Sequence, residues 1–161
     1  MLKAFDNLKA EKKITEQLVL AGGNGWEDRE IYNELSHLKN KSDVIVTGFV
    51  DGATKNTLYQ HAKAFVFPSI YEGFGIPPLE AMKHGCPTVC ANVASLPEVV
   101  GDAAYLVDPF DVESIAEGIC TVLHDDLLRA SLINNGRIQA EKYSWENTTK
   151  SFLEVIRKSC I

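Results

Sequence analysis

The stretch Phe65-Val66-Phe67-Pro68-Ser69-Ile70-Tyr71-Glu72-Gly73-Phe74-Gly75-Ile76-Pro77-Pro78-Leu79-Glu80-Ala81-Met82 changes character twice. Its first residues are apolar and end at Pro68, as a buried strand does. A loop carrying Gly73 and Gly75 follows. A helix then begins near Pro77, since proline suits the first helical position, where its missing N–H would have no partner anyway. The helix ends at Gly85, a good residue to lie just past a helix terminus. A glycine-bearing loop thus opens a helix at the carboxyl end of a strand. In doubly wound parallel sheets that end is where ligands bind. The start of a helix offers unpaired N–H groups and a partial positive charge, which favour phosphate. Gly73 and Gly75 let the backbone come close to such a ligand.

The same alternation extends outward from this stretch. Short apolar runs without period-two alternation predict strands buried on both faces at 17–22, 43–48, 64–68, 87–91 and 104–107. Helical patterns lie between most of them. Residues 27–39 carry Ile31, Leu35 and Leu38 on one face. Thr54 is the expected N-cap of a helix holding Leu58, Tyr59 and Ala62, and Asp111 caps one with Val112, Ile115, Ala116, Ile119 and Leu123. Two more helices are expected at 126–142 and 144–158. The reading is an α/β domain with a Rossmann-like, doubly wound parallel sheet. The chain opens on an amphipathic helix, from Met1-Leu2-Lys3-Ala4-Phe5-Asp6, that leads straight into the first strand. A βαβ unit would place another strand before that helix.

Composition narrows the function. The 161 residues give room for a single domain with its own core. No apolar run approaches the 20 or so residues that cross a bilayer, and the start does not read as a signal peptide. A net charge of −6 leaves no electrostatic footprint for nucleic acid or anionic lipid. Cys86, Cys90, Cys120 and Cys160 do not form paired knuckles, so they read as free thiols in a reducing cytosol and not as a zinc site. His37, His61, His84 and His124 read as structural or surface residues, because a histidine needs partners to be catalytic.

Glu72 and Glu80 bracket the glycine loop. With phosphate on the helix start, the two carboxylates could reach opposite ends of one extended ligand. A carboxylate accepts hydrogen bonds well from the vicinal diols of ribose and hexose. Taken alone, Glu80 could equally be a surface residue complementing the helix dipole, and Glu72 a solvated loop residue. Counting from Gly75 as N-cap puts Pro78 at the third helical position, so Glu80 does not belong to a capping box. The spacing of glutamates, glycines and prolines together is far more specific.

The run Glu72-Gly73-Phe74-Gly75…Glu80-Ala81-Met82 strongly resembles the Glu-x7-Glu motif of the retaining glycosyltransferases of family 4, which have the GT-B fold. The resemblance continues through Gly85-Cys86-Pro87-Thr88-Val89, Leu96-Pro97-Glu98-Val99-Val100-Gly101, Leu106-Val107-Asp108-Pro109 and Ser144-Trp145. It implies the C-terminal, nucleotide-sugar-binding half of such an enzyme, lacking its first strand. By the same resemblance, Glu72 is the catalytic-site glutamate that contacts donor-sugar hydroxyls. Gly73, Phe74, Gly75 and Ile76 would hold the sugar and distal phosphate, and Glu80 the ribose. Gly22, Gly23 and Asn24, with Phe49 and Val50, would lie near the nucleotide. From the residues alone, Gly22-Gly23 could equally be a plain strand-to-helix turn.

The resemblance further implies transfer with retained anomeric configuration and no metal or other cofactor, the leaving diphosphate being stabilised by backbone dipoles and basic side chains. The substrate would be a nucleotide-diphosphate sugar. Bacterial mannosyltransferases of polysaccharide assembly fit best, so GDP-mannose is favoured, then UDP-hexoses, with a polysaccharide or lipid-linked acceptor. The acceptor domain and the basic pyrophosphate-binding segment lie outside this chain, which alone is expected to be inactive. The expected location is cytoplasmic, at the inner membrane face through the parent protein. A gap left by the first strand would have to close, stay as a weakness, or borrow a strand from a second copy in a homodimer. An epimerase of the same fold and a non-catalytic nucleotide-binding subunit of a split enzyme remain as alternatives. A phosphorylase would need a lysine for pyridoxal phosphate, which no segment suggests.

Overall fold

A computed structural model describes residues 1–23 and 28–159. Among these residues, five parallel strands alternate with helices: α1 (Leu2–Ala10), β1 (Leu18–Ala21), α2 (Asp28–His37), β2 (Val44–Gly48), α3 (Gly52–His61), β3 (Phe65–Phe67), α4 (Ile76–Lys83), β4 (Thr88–Ala91), α5 (Leu96–Val100), β5 (Ala104–Val107), α6 (Val112–His124), α7 (Asp126–Lys142) and α8 (Trp145–Ser159). This is the expected α/β class, and every expected strand forms within the predicted limits. The short helix α5, which the sequence pattern did not suggest, is new.

Capping chemistry explains several boundaries. The Asp111 carboxylate accepts from the Glu113 N–H, as expected. At α3, however, the cap is Asp51 and not Thr54: the Asp51 carboxylate accepts the Thr54 N–H at 2.7 Å. An aspartate there reaches the third helical amide, so the helix starts three residues earlier, at Gly52. Gly85 adopts a positive φ of 74°, as a residue ending a helix should.

Among the described strands only β4 is buried along its whole length, with Thr88, Val89, Cys90 and Ala91 all enclosed. Val89 joins a core with Phe5 and Leu8 of α1 and Ile115, Ile119 and Val122 of α6. Its neighbour Cys90 joins a second core with Leu79 and Met82 of α4 and Leu96, Val99 and Val100 of α5. Adjacent residues of a strand point to opposite faces, so a strand covered on both sides needs apolar residues throughout. Gly118 is where α6 comes closest: a Cβ there would lie 2.5 Å from Val107 Cγ1.

The strands do not make one sheet. β1 pairs with β2, and β3 with β4 and then β5, giving a two-stranded and a three-stranded sheet. β1 and β3 flank a cleft of about 1550 Å³. The expectation that every strand is buried on both faces fails here: Val19, Ile45 and Val46 are exposed, and β3 is half-buried throughout. Among the described residues no strand lies between β1 and β3, so one edge of each borders the cleft.

Candidate functional site

The loop from Pro68 to Gly75 is fixed by two serines. Ser69 Oγ donates towards the Tyr71 carbonyl at 3.2 Å and Glu72 Oε1 at 3.0 Å. Ser95 is the N-cap of α5, yet its hydroxyl makes no cap bond. It reaches across instead to the carbonyls of Glu72 at 2.9 Å and Phe74 at 3.0 Å. The Phe74 ring meets Tyr143 edge-on, with centroids 5.4 Å apart. The loop is therefore held by elements remote in sequence, which no local pattern announces.

The two glycines of the loop differ. Gly75 has φ 107°, and a Cβ there would sit 2.7 Å from Leu96 Cδ2. Gly73 has no positive φ and nothing within 4 Å of an added Cβ. Gly75 thus answers a backbone requirement, whereas Gly73 only leaves space. Gly75 is also the N-cap of α4, so Pro77 stands second and not at the first helical position expected for it. Ile76 is then the first helical residue, and Pro77 and Pro78 take the next two places. Those prolines remove two N–H groups that would otherwise lack partners at the helix start. The donors left to an anion there belong to Gly75 and Ile76.

Glu80 lies on α4, whose face packs against α3. Lys55 Nζ stands 2.7 and 2.8 Å from its two carboxylate oxygens, and the Tyr59 hydroxyl donates to one of them at 3.4 Å. Lys55 and Tyr59 are one helical turn apart, so both project from one face of α3. Burial, and then the negative charge of Glu80, push the Tyr59 hydroxyl up to about 12. The Tyr59 ring packs edge-on against Phe65, with His84 stacked on it. Sequence reasoning missed Lys55, Tyr59, Ser69 and Ser95. The i, i+4 spacing of Lys55 and Tyr59 was the one local signal available.

The predicted residues fall into two groups. Glu80, Gly22, Gly23 and Val50 line the cleft together with Lys55, Tyr59 and Pro77. Glu72, Gly73, Phe74, Gly75 and Ile76 sit on the neighbouring loop and helix start and are not among the lining residues. The Phe49 side chain is exposed, and its Cβ is 3.9 Å from the position of a Cβ on Gly23. Asn24 lies outside the described residues, as does Cys160. His37 and His124 bond carbonyls of their own helices, Asn33 and Cys120. Among the described residues no cluster of His, Cys, Asp and Glu could hold a metal ion, and no helix is long and apolar enough to cross a membrane.

This arrangement places a carboxylate–lysine–tyrosine group and a glycine loop together at the carboxyl ends of parallel strands. The family profile described as "Glycosyl transferases group 1" matches residues 1–139. The chain belongs to this family. It is 42% identical over 149 residues to the O-antigen chain mannosyltransferase B of Escherichia coli, covering 92% of this chain and 39% of that protein. It is 32% identical over 165 residues to the MMP alpha-(1->4)-mannosyltransferase of Mycolicibacterium hassiacum, covering 99% of this chain and 39% of that one. The chain therefore spans about two fifths of the length of these relatives. Among solved structures, the sucrose-phosphate synthase of Thermosynechococcus elongatus superposes with a TM-score of 0.84 at 26% identity, over 98% of this chain and 41% of that one. This chain thus shares its fold with part of a longer protein.

Proposed function

We propose that these residues form the donor-binding domain of a retaining hexosyltransferase, and that the donor is a nucleotide-diphosphate sugar, GDP-mannose before UDP-hexoses. The observation that carries the reading is Glu80, whose two oxygens are held by Lys55 on the wall of the cleft flanked by β1 and β3. A carboxylate so fixed can accept both hydroxyls of a ribose. Glu72, its Oε1 bonded by Ser69, would face the hexose. The N–H groups at Gly75 and Ile76 would meet the distal phosphate at the start of α4. Gly22, Gly23 and Val50 would border the nucleotide. The mannosyltransferases among its relatives favour mannose.

Transfer to a polysaccharide or lipid-linked acceptor would need polypeptide beyond these residues, so the chain by itself would bind donor without turning it over. No step of this reading requires a metal. A place at the inner face of the cytoplasmic membrane would come through the parent protein.

The test is calorimetric titration of the chain with GDP, UDP and ADP. Glu80→Ala should weaken the preferred nucleotide by about 1.5–3 kcal/mol, the worth of hydrogen bonds to a charged group. Glu72→Ala should leave free nucleotide binding nearly intact while abolishing transfer in the full-length parent. Equal nucleotide affinity for wild type and Glu80→Ala would refute the ribose assignment.

A further inference from the structure

Ser95 spends nothing on its own helix. It is the N-cap of α5, where a serine ordinarily has an extended backbone and bonds the second or third helical N–H. Here its backbone is helical, at φ −77° and ψ −15°, and its hydroxyl makes no cap bond. The residue before it takes a conformation that side chains with a Cβ disfavour: Ala94 has φ 53°. The Leu96 N–H donates to the Val93 carbonyl at 3.2 Å, so Ala94 and Ser95 are the two central residues of a tight turn. Their φ values have the signs of a type II′ turn, whose first central place suits glycine. Strain of this kind persists only where the surroundings enforce it, and it gathers at functional sites.

The turn delivers the Ser95 hydroxyl to the site loop. Its single proton can serve the Glu72 carbonyl, 2.9 Å away, or the Phe74 carbonyl, 3.0 Å away. The hydroxyl thus grips the loop on both sides of Gly73, an exposed glycine with nothing within 4 Å of an added Cβ. The other ties act differently. The Ser69 hydroxyl holds Glu72 Oε1, but the two residues lie three apart in one loop and move together. The packing of Phe74 on Tyr143 and of Gly75 against Leu96 lies on the far side of Gly73 from Glu72. Of these ties, the one from Ser95 joins the main chain of Glu72 to the core. Ser95 follows β4, which is buried throughout, and precedes Leu96, which is fully buried.

We propose that Ser95 is a positioning residue for Glu72: it holds the main chain of the loop so that the carboxylate meets the hexose of the donor. The role rests on the reading of Glu72 given above. It confines the effect of Ser95 to the sugar half of the donor, because Glu80 is held separately, by Lys55 and Tyr59 of α3.

The test compares the 161-residue chain with Ser95→Ala, Ser95→Thr, Glu72→Ala and the double variant of Ser95→Ala with Glu72→Ala. Each is titrated calorimetrically with GDP and GDP-mannose and with UDP and UDP-glucose; the tighter-binding pair gives a ratio of nucleotide-sugar to nucleotide affinity. Hydrogen exchange of the loop at residues 69–75 is followed without ligand. Ser95→Ala should lower the ratio about three- to tenfold, the worth of one hydrogen bond, and leave free nucleotide affinity unchanged. It should also speed exchange in the loop by at least about threefold. Ser95→Thr keeps the hydroxyl and should restore both. In the Glu72→Ala background the ratio should no longer respond to Ser95→Ala. Unchanged loop exchange in Ser95→Ala would mean that the hydroxyl tethers nothing. Faster exchange with an unchanged ratio, where Glu72→Ala alone lowers it, would overturn the positioning role and leave the donor reading standing. An unchanged ratio in Glu72→Ala, or no binding by either pair, would overturn the donor reading and this role with it.

Discussion

Replacing Gly75 by alanine, with Gly73→Ala as its partner, separates a backbone requirement from simple openness. At Gly75 two costs add. An L-residue held at φ 107° is strained, by about 1–3 kcal/mol. The new Cβ also lies 2.7 Å from Leu96 Cδ2. Leu96 is fully buried among Val99, Val100 and Met82, so it cannot step aside freely; such overpacking costs about 1–3 kcal/mol. Partial relaxation leaves an expected loss of about 2–5 kcal/mol. In domains of 150–250 residues each kcal/mol moves Tm by about 2–4 °C, so Gly75→Ala should melt about 5–20 °C lower. At Gly73 neither cost exists, and the change should stay within about 0.5 kcal/mol. Urea denaturation and scanning calorimetry of the three chains measure both differences. If Gly73→Ala and Gly75→Ala melt together, the contact between the loop and Leu96 does not constrain the backbone as described.

Lys55→Met should lower stability by less than about 1 kcal/mol, because both partners of its ion pair with Glu80 are partly exposed. It should nonetheless weaken nucleotide binding, and its effect should not add to that of Glu80→Ala in a double-mutant cycle; additive losses would mean that Lys55 does not act through Glu80. Burial pushes the Cys86 and Cys90 thiols up to about 12, leaving about one thiolate in ten thousand at pH 8. Iodoacetamide at pH 8 should therefore spare both in the native chain and label the more accessible Cys120, as peptide mapping will show; labelling of Cys90 before unfolding would contradict the packing. The hydrogen-bonded ammonium of Lys63 holds the Glu16 carboxyl at about 2, below its usual 4.5. A depressed carboxylate stabilises the fold above the unfolded value and loses that contribution as the pH falls through the folded one. Lys63→Met should thus cost less than about 1 kcal/mol at pH 7, since Lys63 is largely exposed. The difference should vanish as the pH falls from 4.5 towards 2, and urea midpoints at both ends will show it; a difference that persists in acid would refute the pairing.

Much of the fold was legible because its signals are local. The apolar run at Thr88–Ala91 needs a partner on each face and so announces a central strand. Asp111 and Gly85 mark helix ends through their own side chain and φ. The same logic misplaced the start of α3, where Thr54 and Asp51 both suit a cap and the helix takes Asp51, whose carboxylate accepts the Thr54 N–H. The short helix α5 escaped because five residues give no period to read.

Local chemistry determined which residues build the site loop: glycine where φ must be positive, proline where helix N–H groups would stand unpaired, glutamates on either side. Tertiary structure alone decided how those residues are held and where they face. The tie from Ser95 to the Glu72 and Phe74 carbonyls joins elements more than twenty residues apart, and Lys55 meets Glu80 over a similar separation. The gap between β1 and β3 is likewise invisible in either strand, because an edge is free or paired only by virtue of what lies beside it. Sequence periodicity reports what one element wants to bury; which partner buries it, or whether any does, is settled when the elements assemble.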